Sequence, residues 1–483
     1  MNSEKGISIL YLYLVVLVAA VGGFLFGYDL SLISGAIIFL KAQFALSAGM
    51  EGLVMGSAIL GCPFGPLMGV WVADAIGRKR TLALAAGLFM ASAIGCAAAD
   101  HVFVLMFWRF IGGMGVGLAS TVSPMFIAEI APARLRGRLV MVFQLAVGIG
   151  LSMSVFVDWV FSGGGPELWH WAFPGQAVPA LVLRLAGGGP DCWRWMFATQ
   201  ALPVLALMLG LVFVPESPRW LAAVGRVKDA LGVLTRINGQ SEADKVFGEI
   251  QDELKEESGG FSELLLPGVR LALIIGIGLM VYSQIDGCNM IVLYTPTLLQ
   301  AAGFKSASSA IFNSVILCGW ILVCTAVAFW LIRTFPRRNI QIGGGFGMVI
   351  GHILMFVYFT CHPPPLFALA AMFVPVGSYV LTLGPLSWVV ISEMFPNRVR
   401  GKAMCIATCT MFAGSFLTTN LFPVVMDGFK ARFGHPGGTF LVFACVCAAG
   451  TVFVWKMLPE TKDKTLEEMG RFWLKIDDDR AAK

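Results

Sequence analysis

Pro215-Glu216-Ser217-Pro218-Arg219-Trp220-Leu221 opens a charged block that runs to Pro267 and interrupts an otherwise apolar chain of 483 residues. On each side of this block lie six apolar segments long enough to cross a bilayer. About 20 helical residues span roughly 30 Å of hydrocarbon, and helices satisfy their own backbone hydrogen bonds where water is absent. The sequence therefore predicts an all-α membrane protein with twelve transmembrane helices in two six-helix halves.

Four regions follow from this count: an amino-terminal bundle (1–214), an intracellular helical linker (215–267), a carboxy-terminal bundle (268–458) and a cytosolic tail (459–483). The composition agrees with a membrane protein. With 57% hydrophobic and 13% charged residues, the chain cannot hide its apolar surface in a water-soluble core. The first apolar run is too long for a cleaved signal peptide, so we expect it to be a permanent helix.

The basic residues predict that both termini are cytosolic. The net charge of +5 is therefore a topology signal, and it does not indicate binding to nucleic acid. We expect a multi-pass protein of the plasma or inner membrane that contacts the lipid bilayer and is a monomer. With this orientation, the short outer loops hold only six of the 34 Lys and Arg residues, as the positive-inside rule requires: Lys41, Arg184, Arg194, Lys305, Lys430 and Arg432.

Two opposite charges are predicted deep in the amino-terminal bundle. Asp29 of helix 1 lies twelve positions before Lys41, which puts its carboxylate about 18 Å below the outer surface. Arg109 of helix 4 lies nine residues from Asp100, hence about 13 Å deep. A charge at such depth costs about 2.5–3.5 kcal/mol and marks a functional residue by default. We expect the two groups to be in contact. The alternative to a functional role is a structural ion pair that only fixes the packing of the helices.

The boundaries of the helices repeat between the two halves. In Glu129-Ile130-Ala131-Pro132 and Glu393-Met394-Phe395-Pro396, proline follows glutamate by three positions, and Arg-Gly begins seven positions after the glutamate. Pro215-Glu216-Ser217 and Pro459-Glu460-Thr461 form a second repeated pair. Two similar halves that rock around a central site would provide alternating access.

Helix 7, about 269–302, carries a polar run at mid-membrane. Ser283, Asp286 and Asn289 are three residues apart, so they share one side of a regular helix, while Gly287 and Pro296 loosen the helix near them. Polar groups beside helix breaks are suited to a polyhydroxy ligand. In helix 10, Gly384-Pro385 bends the helix, and Trp388 offers a flat apolar face.

These motifs resemble a known family. The stretch from Gly69 to Arg80, GVWVADAIGRKR, resembles the loop 2-3 signature of the major facilitator superfamily. The repeated Pro-Glu-Ser/Thr motifs after helices 6 and 12 resemble its sugar porter family, and the resemblance covers nearly the whole chain. It implies that a set of helix-end residues forms a cytosolic gate and latch: Asp74, Arg78, Glu129, Arg136, Glu216, Arg219, Glu393, Arg400 and Glu460.

The resemblance also implies a sugar site and a proton-coupling pair, the latter formed by Asp29 and Arg109. Several positions depart from the family pattern, with Ile321 in place of Asn, Leu293 in place of Tyr, and Phe412 in place of Trp. Ser283, Asp286 and Met411 are extra candidate ligand contacts, and Asp286 could meet a cationic ligand. The implied sugar contacts are Phe26, Gln144, Gln284, Asn289, Tyr294 and Trp388, although Gln144 could instead bridge two helices.

The sequence thus predicts proton-coupled symport of a hexose, a pentose or a related polyol. A passive sugar or polyol facilitator and a non-transporting sugar-sensing receptor are the alternatives. The eleven cysteines show no metal-ligand spacing, and no nucleophile-base pair is recognisable, so we expect neither an enzyme nor a metal or cofactor. The outer segment 162–192 is predicted to be an interfacial flap or lid.

Overall fold

The computed structural model describes residues 9–174, 176–255, 263–264, 266, 269–395 and 397–462. These residues form helices and connecting loops, with no strand among them. Twelve of the described helical stretches are long and apolar enough to cross a membrane, as predicted. They are α1 Tyr11–Phe44, α2 Ala48–Ile76, α3 Arg78–Ala97, α4 Val102–Ile130, α5 Leu135–Ala172, α6 Cys192–Phe213, α7 Val269–Leu293, α8 Ala307–Thr334, α9 Arg337–Cys361, α10 Pro365–Met394, α11 Gly401–Phe433 and α12 Gly438–Met457.

The charged block between α6 and α7 is helical over most of its described length. It folds into three short helices, Pro218–Ala223, Val227–Asn238 and Gln240–Lys255. Ser217 caps the first of them, because its hydroxyl accepts a hydrogen bond from the amide of Trp220. In the outer segment 162–192, the short helix Gly165–Ala172 forms the end of α5, and Ala180–Ala186 is a separate short helix. The function of this segment as a flap remains a prediction.

The chain divides into two compact units. The first contains residues 1–32, 61–154 and 194–257, and the second contains residues 33–60, 155–193 and 258–483. The predicted outer ends of α1, α2 and α5 thus group with the carboxy-terminal helices. One such contact joins α2 and α11: the backbones approach so closely that a Cβ on Gly52 would lie 2.3 Å from the carbonyl oxygen of Asn420.

Several membrane helices are broken, and proline or glycine accounts for the breaks. In α2, a turn at Cys62-Pro63 separates two helical parts. In α10, Pro385 lacks the amide hydrogen that would continue the ladder, and the helix restarts after Thr382. In α7, Gly287 has a left-handed backbone with φ of 83°, which glycine adopts without steric cost. Polar candidate residues lie beside the breaks in α7 and α10.

Glycine also permits close packing of α2 on α4. A Cβ on Gly65 would lie 1.9 Å from the carbonyl carbon of Gly117. We expect Gly65→Ala to lower the free energy of unfolding by about 1–3 kcal/mol, because the added methyl group overpacks this contact. Thermal unfolding of the purified protein in detergent measures the change. Gly87→Ala in α3 is the matched control: a Cβ there meets nothing within 4 Å, and an unchanged or higher unfolding temperature is expected. Equal stability of the two variants would contradict the close approach.

Candidate functional site

Asp29 lies buried in α1, with only 1% of its surface exposed. Its Oδ1 accepts a hydrogen bond of 2.8 Å from Nε2 of Gln200 in α6. The same Oδ1 lies near Gly112 of α4, where a Cβ would be 2.4 Å from Oγ of Ser92 and 3.3 Å from Oδ1. The absence of a side chain at Gly112 therefore makes room for the carboxylate, while Oδ2 has no hydrogen-bond partner among the described residues.

Arg109 is equally buried, and it lies close enough to attract Asp29 electrostatically. The expected direct contact is not found, because no ion pair between the two groups occurs among the described residues. The guanidinium carbon of Arg109 instead lies 5.6 Å from the centre of the Phe197 ring, a cation–π distance. Its Nε and Nη2 have no hydrogen-bond partner in the described part of the chain. The two charges are therefore neighbours with unused bonding capacity.

Gln200 is a residue that the sequence analysis missed. It is fully buried and lies at a break in α6, three residues before Pro203. The signal in the sequence is a single amide in an apolar segment, which needs a partner inside the protein because hydrocarbon offers none. Asp29 is that partner.

A second polar cluster surrounds the break in α7. Nδ2 of Asn289 lies 3.2 Å from Oε1 of Gln284 and 3.3 Å from the hydroxyl of Tyr379 in α10. We call Gln284, Asn289 and Tyr379 the amide cluster. Tyr379 was also missed, because nothing in the sequence indicates which helix faces Asn289. The cluster offers amide and hydroxyl donors and acceptors at one place, which is what a ligand rich in hydroxyl groups requires.

Of the polar residues near the amide cluster, Ser283 contacts it directly, because its hydroxyl accepts a hydrogen bond from Nε2 of Gln284 at 3.2 Å. The hydroxyl of Ser283 donates to the carbonyl of Met280 at 2.7 Å, and the hydroxyl of Tyr294 donates to the carbonyl of Thr419 at 3.0 Å. Asp286 is fully buried, and its Oδ1 accepts from the amide of Cys288. The break at Gly287 interrupts the regular helical spacing. Asn289 therefore bonds to Gln284, whereas the carboxylate of Asp286 bonds to the backbone at the break.

The remaining predicted sugar contacts are distributed over both units. Phe26 is half-buried and Gln144 is exposed, and both belong to the unit that contains Asp29. Trp388, 38% exposed, and Met411, 7% exposed, belong to the unit that contains the amide cluster. Their assignment as ligand contacts stays a prediction.

The repeated motifs build two similar ion clusters at helix ends, which we call the first and second latch clusters after the role predicted for them, and that role stays a prediction. In the first, Arg78 forms ion pairs of 2.9 Å with both Asp74 and Glu129, and Glu129 also accepts from the hydroxyl of Ser217. Glu216 accepts from the backbone amide of Lys79 at 3.0 Å. A guanidinium that holds two carboxylates fixes the ends of three chain segments together.

The second latch cluster repeats this pattern with other residues. Arg337 lies 3.3 Å from Glu393, Thr461 donates to Glu393 at 2.6 Å, and Glu460 accepts from the backbone amide of Arg337 at 3.0 Å. Arg337 and Thr461 therefore correspond to Arg78 and Ser217. Of the other predicted latch residues, Arg136 is exposed, Arg219 is half-buried, and the side chain of Arg400 lies outside the described residues.

The two latch clusters differ in burial, which leads to a prediction. The side chains of Arg78 and Glu129 are each 9% exposed, whereas those of Arg337 and Glu393 are 15% and 29% exposed. We expect Glu129→Gln to lower the free energy of unfolding by about 1.5–3 kcal/mol and Glu393→Gln by about 0–1 kcal/mol, as measured by denaturation in detergent.

Asp100→Asn serves as the control for this comparison. Asp100 pairs with Arg194 but is 81% exposed, so the substitution should leave stability unchanged within error. A larger effect of Glu393→Gln than of Glu129→Gln would show that burial does not decide the strength of these clusters.

Comparison with known proteins shows similarity to sugar transporters over nearly the whole chain. Residues 15–473 match the family model described as sugar (and other) transporter. The chain is 32% identical to the D-xylose-proton symporter of Escherichia coli strain K12, covering 98% of this chain and 97% of that protein. It is 35% identical to the arabinose-proton symporter of Bacillus subtilis strain 168, with 96% of each covered.

The similarity extends to solved structures. The inward open conformation of the xylose transporter XylE from E. coli has a TM-score of 0.79 and 31% identity, covering 96% of this chain and all of that one. The structure of XylE bound to 6-bromo-6-deoxy-D-glucose, described as a proton:xylose symporter of the major facilitator superfamily, has a TM-score of 0.73. The chain belongs to the sugar transporter family of the major facilitator superfamily and has the twelve-helix fold of that superfamily.

Proposed function

We propose that this protein is a proton-coupled symporter of a sugar, a hexose or a pentose, in the plasma or inner membrane, with both termini in the cytosol. The observation that carries the proposal is the buried carboxylate of Asp29, held by Gln200 and close to the guanidinium of Arg109. Relatives that are named for proton symport of D-xylose and arabinose support it.

The physical argument for proton coupling rests on incomplete pairing. Asp29 has one unpartnered oxygen, and Arg109 has two unpartnered nitrogens among the described residues. A carboxyl group changes its proton affinity when the distance to a nearby cation or its exposure to water changes. A conformational change that moves Asp29 relative to Arg109 would therefore bind a proton on one side of the membrane and release it on the other.

The argument for a sugar rests on the amide cluster and Trp388. Gln284, Asn289 and Tyr379 supply neutral donors and acceptors, which bind hydroxyl groups without requiring a charged ligand. Trp388 lies on the second part of α10, with more than a third of its surface exposed. An exposed aromatic ring offers a flat apolar face, and one face of a sugar ring is largely apolar. We infer that a neutral polyhydroxy ligand fits these residues better than a cation does.

Asp29→Asn tests the proton pathway. We expect the variant to lose uphill accumulation while it retains exchange of sugar across the membrane, because an amide can replace the hydrogen bonds of the carboxylate but cannot carry the proton. Uptake of D-xylose and arabinose into reconstituted vesicles, with and without an imposed pH gradient, measures both activities.

Asp158→Asn is the matched control for this experiment. Asp158 is also a fully buried membrane carboxylate, and it accepts from the amide of Gly35 at 3.2 Å, a bond that asparagine can keep. Uphill accumulation should survive this change. If Asp29→Asn still accumulates sugar uphill and Asp158→Asn does not, coupling runs through Asp158. If the wild type never accumulates sugar, the protein is a passive facilitator.

Asn289→Ala tests the sugar side. Loss of the shared amide donor leaves Gln284 and Tyr379 without one partner each, so we expect the apparent affinity for sugar to fall roughly tenfold. The half-saturation concentration for exchange provides the measurement. Asn313→Ala removes a half-buried asparagine of α8 that donates to the carbonyl of Ser309 in its own helix, and it should leave the affinity unchanged. Unchanged affinity in Asn289→Ala would remove the amide cluster from the binding site.

A further inference from the structure

The break in α7 interrupts the backbone hydrogen bonds of the helix, and buried side chains bond to two of the backbone groups beside it. The amide of Cys288 donates to Oδ1 of Asp286 at 2.9 Å. The carbonyl oxygen of Asp286 accepts from two neighbouring helices: Nε2 of His352 in α9 lies at 2.7 Å, and Sγ of Cys447 in α12 lies at 3.3 Å. We call His352 and Cys447 the carbonyl clamp.

The geometry fixes the tautomer of His352. A carbonyl oxygen is only an acceptor, so the ring must carry its hydrogen on Nε2. Nδ1 has no hydrogen-bond partner among the described residues, and the ring is fully buried. Aromatic rings of α12 hold it in place, with the centres of Phe440 and Phe443 at 6.4 Å and 5.6 Å. His352 therefore acts on α7 through one directed hydrogen bond.

The break that the clamp holds is also what brings the amide cluster together. Gln284 and Asn289 are five residues apart, which corresponds to about 140° around a regular helix of 3.6 residues per turn. In a continuous helix these side chains would point in different directions. The left-handed turn at Gly287 changes this orientation, and Nδ2 of Asn289 then lies 3.2 Å from Oε1 of Gln284.

Among the described residues, no other side chain is found to donate a hydrogen bond to the backbone carbonyl of Asp286. Phe443 packs against Gly287, where a Cβ would lie 2.4 Å from its ring; this contact is apolar and does not satisfy a polar group. Among the described residues, the His, Cys and Asp side chains here have no arrangement that could hold a metal ion.

We propose that His352 and Cys447 are positioning residues that hold the break in α7 and thereby set the affinity of the amide cluster for its sugar. This inference rests on the proposed function, because it takes the amide cluster as part of the sugar site. The two residues do not touch the sugar. They act through the orientation of Asn289 relative to Gln284.

The experiment separates the hydrogen bond from the packing of the ring. His352→Phe keeps an aromatic ring between Phe440 and Phe443 but removes the donor, whereas His352→Gln removes the ring and keeps a donor near the position of Nε2. Met348→Leu, a buried apolar change one turn away in α9, is the control for repacking. Equilibrium binding and exchange of D-xylose and arabinose are measured with the full-length protein in vesicles.

We expect His352→Phe to weaken sugar binding and raise the half-saturation concentration roughly tenfold, with the maximal exchange rate changed less than about twofold. His352→Gln should restore most of the affinity, and Met348→Leu should match the wild type. If His352→Phe does not fold, Cys447→Ala removes the second donor at smaller cost in volume, and a weaker affinity is again expected.

The outcomes distinguish this inference from the proposed function. A wild-type protein that binds neither sugar overturns the proposed function and this inference with it. If the wild type binds and folded His352→Phe or Cys447→Ala binds equally well, the inference alone is overturned. It is also overturned if His352→Gln is as weak as His352→Phe, because the ring and not its hydrogen bond would then matter.

Discussion

Hydrocarbon offers no hydrogen-bond partner, so the polar groups in the membrane-spanning part of this protein depend on partners that the protein itself supplies. Helix breaks make this constraint local. Where α7 is interrupted, the carbonyl of Asp286 requires donors from α9 and α12. Where α6 is interrupted, the side-chain amide of Gln200 donates a hydrogen bond to the carboxylate of Asp29. Breaks and buried polar side chains therefore occur together, and the candidate functional residues lie at these places.

Hydrogen bonds between membrane helices also require that the helices lie close together, because short polar side chains reach only short distances. In the first unit, a Cβ on Gly27 would lie 2.0 Å from the carbonyl oxygen of Val147, and one on Gly150 would lie 2.0 Å from that of Phe24. These reciprocal glycines bring the backbones of α1 and α5 together. Ser31 then reaches across to the carbonyl of Leu151 at 3.2 Å. Small residues thus allow polar groups of one helix to find partners in the next.

Sequence reasoning predicted features that depend on position along a helix and missed those that depend on direction around it. The twelve membrane helices follow from hydropathy, whereas the similar depth expected for Asp29 and Arg109 from 1.5 Å of rise per residue stays a prediction. Direct contact between these two charges did not follow, since equal depth does not place two side chains face to face. Gln200 and Tyr379 were missed for the same reason: each is recognised only through the neighbour that the fold provides.

The two halves of the internal repeat are similar at their helix ends but not identical. Both latch clusters keep an arginine, a glutamate and a hydroxyl, because the motifs at the helix ends fix these contacts locally. The second cluster lacks a counterpart of Asp74 among the described residues, so Arg337 pairs with one acid where Arg78 pairs with two. A buried ion pair with more partners costs more to open than an exposed one. The two clusters are therefore unequal: the first is more buried, and its arginine pairs with one more acid than the arginine of the second.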